Sequence, residues 1–244
     1  SLDESPSYGC FWGMKHIISR VIIQEPCPGA LVAPVICISN RPNLGLLTDC
    51  SLRGVVEKEI PFFERLDGSG KIALFKLRAL DSEKKHEELR EFCCFWREAL
   101  DLAHFACHAS YEDAAPDLSH ILLSDDFSIT LMDMEVYGIT LDSHPLIVFN
   151  ACETGNLNPL YTSYFAAAFL RYGARGVVAT GCPVPDGFAA DFVEQLYTYL
   201  LAGNQLGESM LAARRYFLQK HGNPSGLLYS LYAPPSIRLV WTGE

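Results

Sequence analysis

Short stretches that are apolar at every position, separated by stretches with helical spacing, leave this chain few architectures. Val35-Ile36-Cys37-Ile38 closes an apolar run that begins at Leu31. Lys71–Leu77, Leu102–Cys107, Leu146–Phe149, Gly176–Thr180 and Ile237–Trp241 follow. A strand apolar on both sides must be covered on both sides, which is the situation in parallel sheets whose crossovers are helices. Between these runs, Leu52–Leu66, Ser82–Leu100, Tyr164–Arg171, Phe188–Leu201 and Leu206–Lys220 read as helices, the third stopped by Gly173. Pro61 lies inside the first of them and predicts a kink or a split. His120–Leu123 and Ile129–Met132 flank Ser124-Asp125-Asp126 and read as a hairpin. Cys10–Gln24 mixes aromatic and β-branched residues and reads as extended chain or a hairpin. The expected fold is a three-layer α/β/α sandwich around a mostly parallel sheet. One domain is expected over residues 31–244, preceded by a lead-in over 1–30.

Charge and cysteine usage narrow the function. The net charge is −10, and the longest basic run, Lys84-Lys85, is flanked by Glu83 and Glu87. Binding to a phosphate backbone rests on clustered Lys and Arg, so no nucleic-acid partner is expected. No apolar run approaches the roughly 18 residues of a membrane span. The nine cysteines include no CxxC pair, which argues against a structural zinc site. Many sit in apolar surroundings, Cys37 and Cys93 among them, where a free thiol behaves as a small buried hydrophobe. A reducing, cytoplasmic setting follows.

In such sheets, binding and reacting groups gather at the carboxyl ends of the strands. Two of those ends carry chemistry. One is Leu102-Ala103-His104-Phe105-Ala106-Cys107-His108-Ala109, and the other is Val148-Phe149-Asn150-Ala151-Cys152-Glu153-Thr154-Gly155. Strand alternation puts His104, Ala106 and His108 on one face and Phe105 and Cys107 on the other. His104 sits early and reads as a core histidine. His108 comes last, at the exit into a polar loop. Cys152 stands at a strand end before a turn marked by Thr154-Gly155. A thiol and an imidazole on adjacent strand ends make a nucleophile and its base, because the thiolate attacks and a nearby imidazole lowers the thiol pKa. The pattern of a histidine strand upstream of Asn150-Ala151-Cys152 parallels the Q-A-C signature of caspases.

With Tyr172-Gly173-Ala174-Arg175-Gly176-Val177-Val178-Ala179-Thr180 and Pro183-Val184-Pro185-Asp186 downstream, these motifs together resemble the CHAT family of bacterial caspase-like peptidases. The likeness runs from about Leu31 to Val240. It implies the clan of caspases, gingipains and separase, and peptide-bond hydrolysis through a thioester without cofactor or metal. Carried over by position, Cys152 is the nucleophile and His108 the general acid–base. The backbone N–H groups of Ala109 and Cys152 form the oxyanion hole. The family's glycine after the catalytic histidine is Ala109 here, which tolerates positive φ far less readily. Cys182-Pro183 stands where relatives carry Trp-Pro.

Asp186 is a candidate contact for a basic P1 side chain, and equally a helix N-cap. Glu153 is a candidate subsite residue, and must point away from Cys152 because a near carboxylate disfavours the thiolate. The resemblance also implies a protein substrate, a sensor or repeat domain as partner, and a role in bacterial immunity or programmed cell death. The competing reading is a catalytically silent caspase-like interaction module, which Ala109 motivates. His104-Phe105-Ala106-Cys107-His108 has the spacing of a zinc-binding H-E-x-x-H but lacks the glutamate. It also lies on a strand, where i and i+4 stand about 13 Å apart. Asp125-Asp126 reads as a turn, and Gly68-Ser69-Gly70 lacks the lysine of a phosphate loop.

Overall fold

Two long neighbouring strands, β4 (Leu102–Ser110) and β7 (Leu146–Glu153), form the centre of a computed structural model. It describes residues 11–22, 33–77, 85–112, 114–124, 127–153 and 160–242; the side chains of 85, 151–153 and 160–163 lie outside it. β4 is buried at almost every position because it is paired on both sides and covered on both faces. β2 (Asn43–Thr48) and β3 (Ala73–Lys76) extend the sheet on one side of β4, and β8 (Gly176–Thr180) and β9 (Tyr229–Tyr232) extend it beyond β7. The order is β3-β2-β4-β7-β8-β9, parallel except for β9. β5 (His120–Ser124) pairs antiparallel with the carboxyl end of β4 and with β6 (Phe127–Thr130), which leads at once into the short helix α4 (Leu131–Val136). β1 (Val35–Ile38) and β10 (Arg238–Trp241) form a separate parallel pair.

Helices cover both faces, as the apolar strands require. On one face, α3 (Lys85–Phe95) and α5 (Leu160–Tyr172) pack Phe92, Phe95, Phe165 and Phe169 against Phe105 and Phe149. On the other, α2 (Ile60–Gly68), α6 (Asp186–Leu201) and α7 (Leu206–His221) bring Phe63, Phe192, Tyr197 and Phe217 onto Leu102, Leu146 and Val178. This is the expected α/β/α sandwich with a mostly parallel sheet.

Several local expectations change. The helix containing Pro61 is neither simply kinked nor split. A π turn over Val55–Glu59 immediately precedes α2, with the Ile60 N–H reaching Val55 O. Proline at position 61 has no N–H to offer, and the wider turn places the defect before it. β2 and β9 are strands that the apolar pattern does not announce. In β2, Gly45 breaks the run, and a Cβ there would lie 2.7 Å from Phe95 and Leu100. A glycine inside a strand marks such a close approach. β4 continues through His108 to Ser110, and β7 continues through Cys152 to Glu153, so both strands outrun their apolar stretches while the two residues stand near the strand ends. Cys37 is exposed and Cys93 only half-buried, against expectation, since β1 alternates and has a single partner strand. Cys107 is the buried thiol among the described cysteines. The region 11–22 is neither extended throughout nor a hairpin. Trp12–Lys15 form one helical turn, α1, with Met14 buried, and Arg214 and Arg215 bind its carbonyls at Gly13 and Met14. The Ser82 helix start, the Asp125-Asp126 turn, the Thr154-Gly155 turn and most of the 1–30 lead-in fall outside the described residues.

Candidate active site

The register of β4 and β7 decides what meets at the carboxyl edge of the sheet. His108 pairs with Cys152, and Ala109 pairs with Glu153. Neighbouring strands run about 4.8 Å apart, so the backbones of the candidate base and nucleophile stand side by side. His108 is half-buried, and Leu122 of β5 is its partner on the other side. Ala109 is buried between Ile121 and Glu153 in extended conformation. Positive φ among the described non-glycine residues occurs at His144, so Ala109 carries no left-handed strain. The side chains of Cys152 and Glu153 lie outside the described atoms.

One layer down the same face is a polar cluster that the sequence reading did not assemble. Ala106 pairs with Asn150, and His104 pairs with Val148. His104 is a core histidine, wholly buried against the rings of Phe63 and Tyr197. It is not a bland one. Its Nε2 is 2.7 Å from Oε2 of Glu59, and the other Glu59 oxygen accepts from Asn150 Nδ2 at 3.0 Å. Tyr229 donates its hydroxyl to Asn150 Oδ1 at 2.7 Å. The Tyr197 hydroxyl lies 3.5 Å from His104 Nδ1. Burial first, and the Glu59 carboxylate second, push the Tyr197 phenol well above its usual range. Glu59 is 2% exposed although it sits on a helix. A buried carboxylate is tolerable only when donors satisfy it, and here one donor comes from each central strand.

That cluster had a signal. Glu59 falls on the apolar stripe of Leu52, Val55, Val56, Ile60 and Phe63, where a solvated glutamate does not belong. Together with His104 and Asn150 in otherwise apolar strands, it makes a set of polar core residues that have to find one another.

The remaining predicted residue, Asp186, opens α6 just beyond the carboxyl end of β8. It is the first helical residue and Pro185 is the cap, so Asp186 does not cap its own helix. Its Oδ2 instead accepts the Gly54 N–H at 2.6 Å, at the start of the helical stretch that carries Glu59. A Cβ at position 54 would lie 2.6 Å from that carboxylate, so a larger residue there would displace Asp186 from this position. Lys58 reinforces the junction through Asp191 at 2.7 Å and the Gly187 carbonyl. At the exit of β8, partial burial raises the Cys182 thiol. On the other side of the edge, a cleft of about 450 Å³ is lined by Thr48, Asp49, Cys50, Lys76, Leu77 and Ser124, among others. Thr48 pairs with Ala106, two residues before His108.

The match to the CHAT domain covers residues 51–236. The chain belongs to the CHAT domain family. A protein of Vitiosangium sp. (strain GDMCC 1.1324), named a probable protease, is 28% identical over 253 aligned residues, or 94% of this chain. The chain spans 30% of that relative's length. Among solved structures, the Arg specific cysteine proteinase gingipain R superposes with a TM-score of 0.57 at 12% identity, over 80% of this chain and 46% of its own. Separase of Saccharomyces cerevisiae, solved with securin, gives 0.46 at 11% identity over 90% of this chain and 13% of its own. The superposition on gingipain R shows that the CHAT domain has the caspase-like fold, and its central strand pair carries the motifs on which the family resemblance rests. Among its described residues no helix is long and apolar enough to cross a membrane.

Proposed function

We propose that this CHAT domain is a cysteine endopeptidase with a Cys152–His108 dyad. The observation that carries the reading is the register pairing of His108 with Cys152 at the carboxyl edge of the two central strands. His108 takes the thiol proton, and the Cys152 thiolate attacks the scissile carbonyl carbon. The new C–S bond leaves a tetrahedral oxyanion, which the backbone N–H groups of Ala109 and Cys152 receive. Collapse breaks the C–N bond, and His108 returns its proton to the leaving amine. Water, deprotonated by His108, then hydrolyses the thioester and releases Cys152.

Asp186 meets a basic P1 side chain with its second oxygen, while the first holds Gly54. Glu153 shapes the adjoining subsite. The cleft between Thr48 and Ser124 takes substrate side chains on the opposite side of the dyad. The substrate is a protein. The wider setting, following the family resemblance, is bacterial immunity or programmed cell death in the cytoplasm, under a sensor or repeat domain.

The test is a peptide-library cleavage profile beside labelling with a thiol-reactive peptidyl probe. Turnover that disappears in Cys152→Ala, with Cys152 labelling that depends on His108, is the expected result. Labelling spread evenly over the cysteines and indifferent to His108→Ala would sink the peptidase reading in favour of a silent interaction module.

A further inference from the structure

Beneath the dyad, one side chain holds both strands that carry it. Glu59 comes from the π turn, and its two oxygens are used on different strands: Oε2 on His104 of β4 and Oε1 on Asn150 of β7. Asn150 is two residues before Cys152 on the same strand, so it occupies the next layer of the same face. The hydrogen bonds run in one direction. With the imidazole donating through Nε2, Tyr197 and His104 lead to one carboxylate oxygen. Tyr229 and Asn150 lead to the other. Asn150 therefore has its carbonyl oxygen bound to Tyr229 and its amide bound to Glu59, and both ends serve the interior. The π turn that delivers Glu59 is tied through Gly54 to Asp186 and through Lys58 to Asp191, at the same edge of the sheet.

We propose that Glu59 is a positioning residue for the dyad. Its carboxylate clamps β4 to β7 through His104 and Asn150 and so fixes the relative height of His108 and Cys152. This rests on the peptidase reading. The backbone ladder sets which residues of β4 and β7 pair, and apolar contacts add no direction to it. Two charge-assisted hydrogen bonds in a fixed fork do. A displacement of about 1 Å between reacting groups is enough to cost roughly 10²-fold in rate.

The test uses Glu59→Gln in the full chain. A glutamine at this position cannot accept from both strands, so one buried donor loses its partner. The readouts are kcat and KM on a peptide taken from the library profile, the rate at which iodoacetamide alkylates Cys152, followed by peptide mapping, and the melting curve. The expected result is a fall in kcat of about 10²-fold with KM little changed, the signature of a lost arrangement rather than lost substrate binding. Alkylation of Cys152 slows in parallel, in protein still folded at the assay temperature.

Glu59→Gln combined with Asn150→Asp supplies the rescue. The oxygen of the introduced glutamine accepts from His104, and its amide donates to the introduced aspartate. That aspartate in turn accepts from Tyr229, so every group is paired again and most of kcat returns. Folded Glu59→Gln protein with kcat and Cys152 alkylation at wild-type levels overturns the clamp. Should that variant not fold, Tyr229→Phe, which removes one bond to Asn150, carries the test. The expected result is a several-fold slower alkylation of Cys152, and an unchanged rate overturns the proposal. The two readings fail differently: if His108→Ala leaves Cys152 alkylation unaltered, the dyad itself is wrong, whereas a His108-dependent rate indifferent to Glu59 removes only the clamp.

Discussion

The two faces of the β4–β7 pair are built from different chemistry. Toward α3 and α5, Ala103, Phe105, Cys107, Ile147 and Phe149 meet Trp96, Phe165 and Phe169 in a packing dominated by aromatic and aliphatic side chains, with Phe105 and Phe149 5.4 Å apart. Toward α2 and α6, His104 and Asn150 interrupt the apolar series and engage Glu59, Tyr197 and Tyr229. His108 belongs to this second side by strand alternation. One face therefore supplies non-directional stability. The other gives up some apolar area for directional bonds immediately below the edge where the proposed dyad sits. A sheet covered on both sides can assign adhesion to one face and geometry to the other, because alternate residues of one strand serve separate layers.

The largest effect that separates the faces is expected at the edge itself. Cys152→Ala abolishes peptidase turnover, and His108→Ala lowers kcat by at least about 10⁴-fold, in line with other nucleophile–base pairs. Cys152→Ala removes a single sulfur atom and His108 is half-buried, so melting temperatures are expected to stay within a few degrees. Steady-state kinetics beside calorimetry checks this. A His108→Ala protein that unfolds well below wild type would make His108 a stability residue and blur the division.

On the apolar face the signs reverse. Phe105→Ala deletes a side chain packed among Trp96, Phe149 and Phe169 and is expected to cost about 3–5 kcal/mol. For a chain of this size that lowers Tm by roughly 6–20 °C. Assayed cold, where the protein is still folded, kcat per folded molecule changes little. A loss of kcat comparable with that of Glu59→Gln would show that geometry is held by both faces, and the comparison would break.

How much of this was legible in the sequence follows from the same division. The apolar face is a matter of composition, and the runs at Leu102–Cys107, Leu146–Phe149 and Gly176–Thr180 announce it. The residues proposed as the dyad stand out in the sequence because Cys152 and His108 sit in motifs with polar neighbours. β2 was not, since Gly45 breaks its run and is explained only by Phe95 and Leu100, distant in sequence. β9 was not, because Tyr229-Ser230-Leu231-Tyr232 is too short to show a period. The clamp was half-legible. Glu59, His104 and Asn150 each violate an apolar pattern, but their pairing spans 45 and 91 residues of chain and needs the β4–β7 register to be seen.

A smaller effect tests the junction between the helix of Glu59 and α6. Asp186→Ala removes the acceptor for the Gly54 N–H and is expected to destabilise by about 1 kcal/mol, the usual worth of a capping interaction. Denaturant titration checks that number. If Asp186 also meets the P1 side chain, the same variant loses its preference for Arg and Lys over neutral residues in the library profile. A variant that loses stability yet keeps its P1 preference would confine Asp186 to holding the helix.

The smallest effect belongs to the opposite end of β4, where no chemistry is proposed. Asp101 precedes the strand, its Oδ2 accepts the Asn43 N–H at 2.8 Å, and its own carbonyl accepts from Leu146. Burial raises its carboxyl above the ordinary value, and the Asn43 bond and Arg175 only partly offset this. The folded state therefore binds the proton more tightly than the unfolded chain. Between the unfolded and folded pKa values the folded protein carries more protons, so ΔG of unfolding falls as pH rises through that window. Above it, the full cost of the buried charge is present. Wild type should gain stability relative to Asp101→Asn on acidification from neutral pH into that window. The group is near the surface, and solvent screening keeps the gain small. Denaturant midpoints of the two proteins, measured as a function of pH, would show their difference shifting in favour of wild type toward acid. A shift in the other direction would mean that the Asn43 and Arg175 contacts outweigh desolvation. The amino end of the strand pair would then be held by charge, as the carboxyl end is, and the contrast would be one of faces alone.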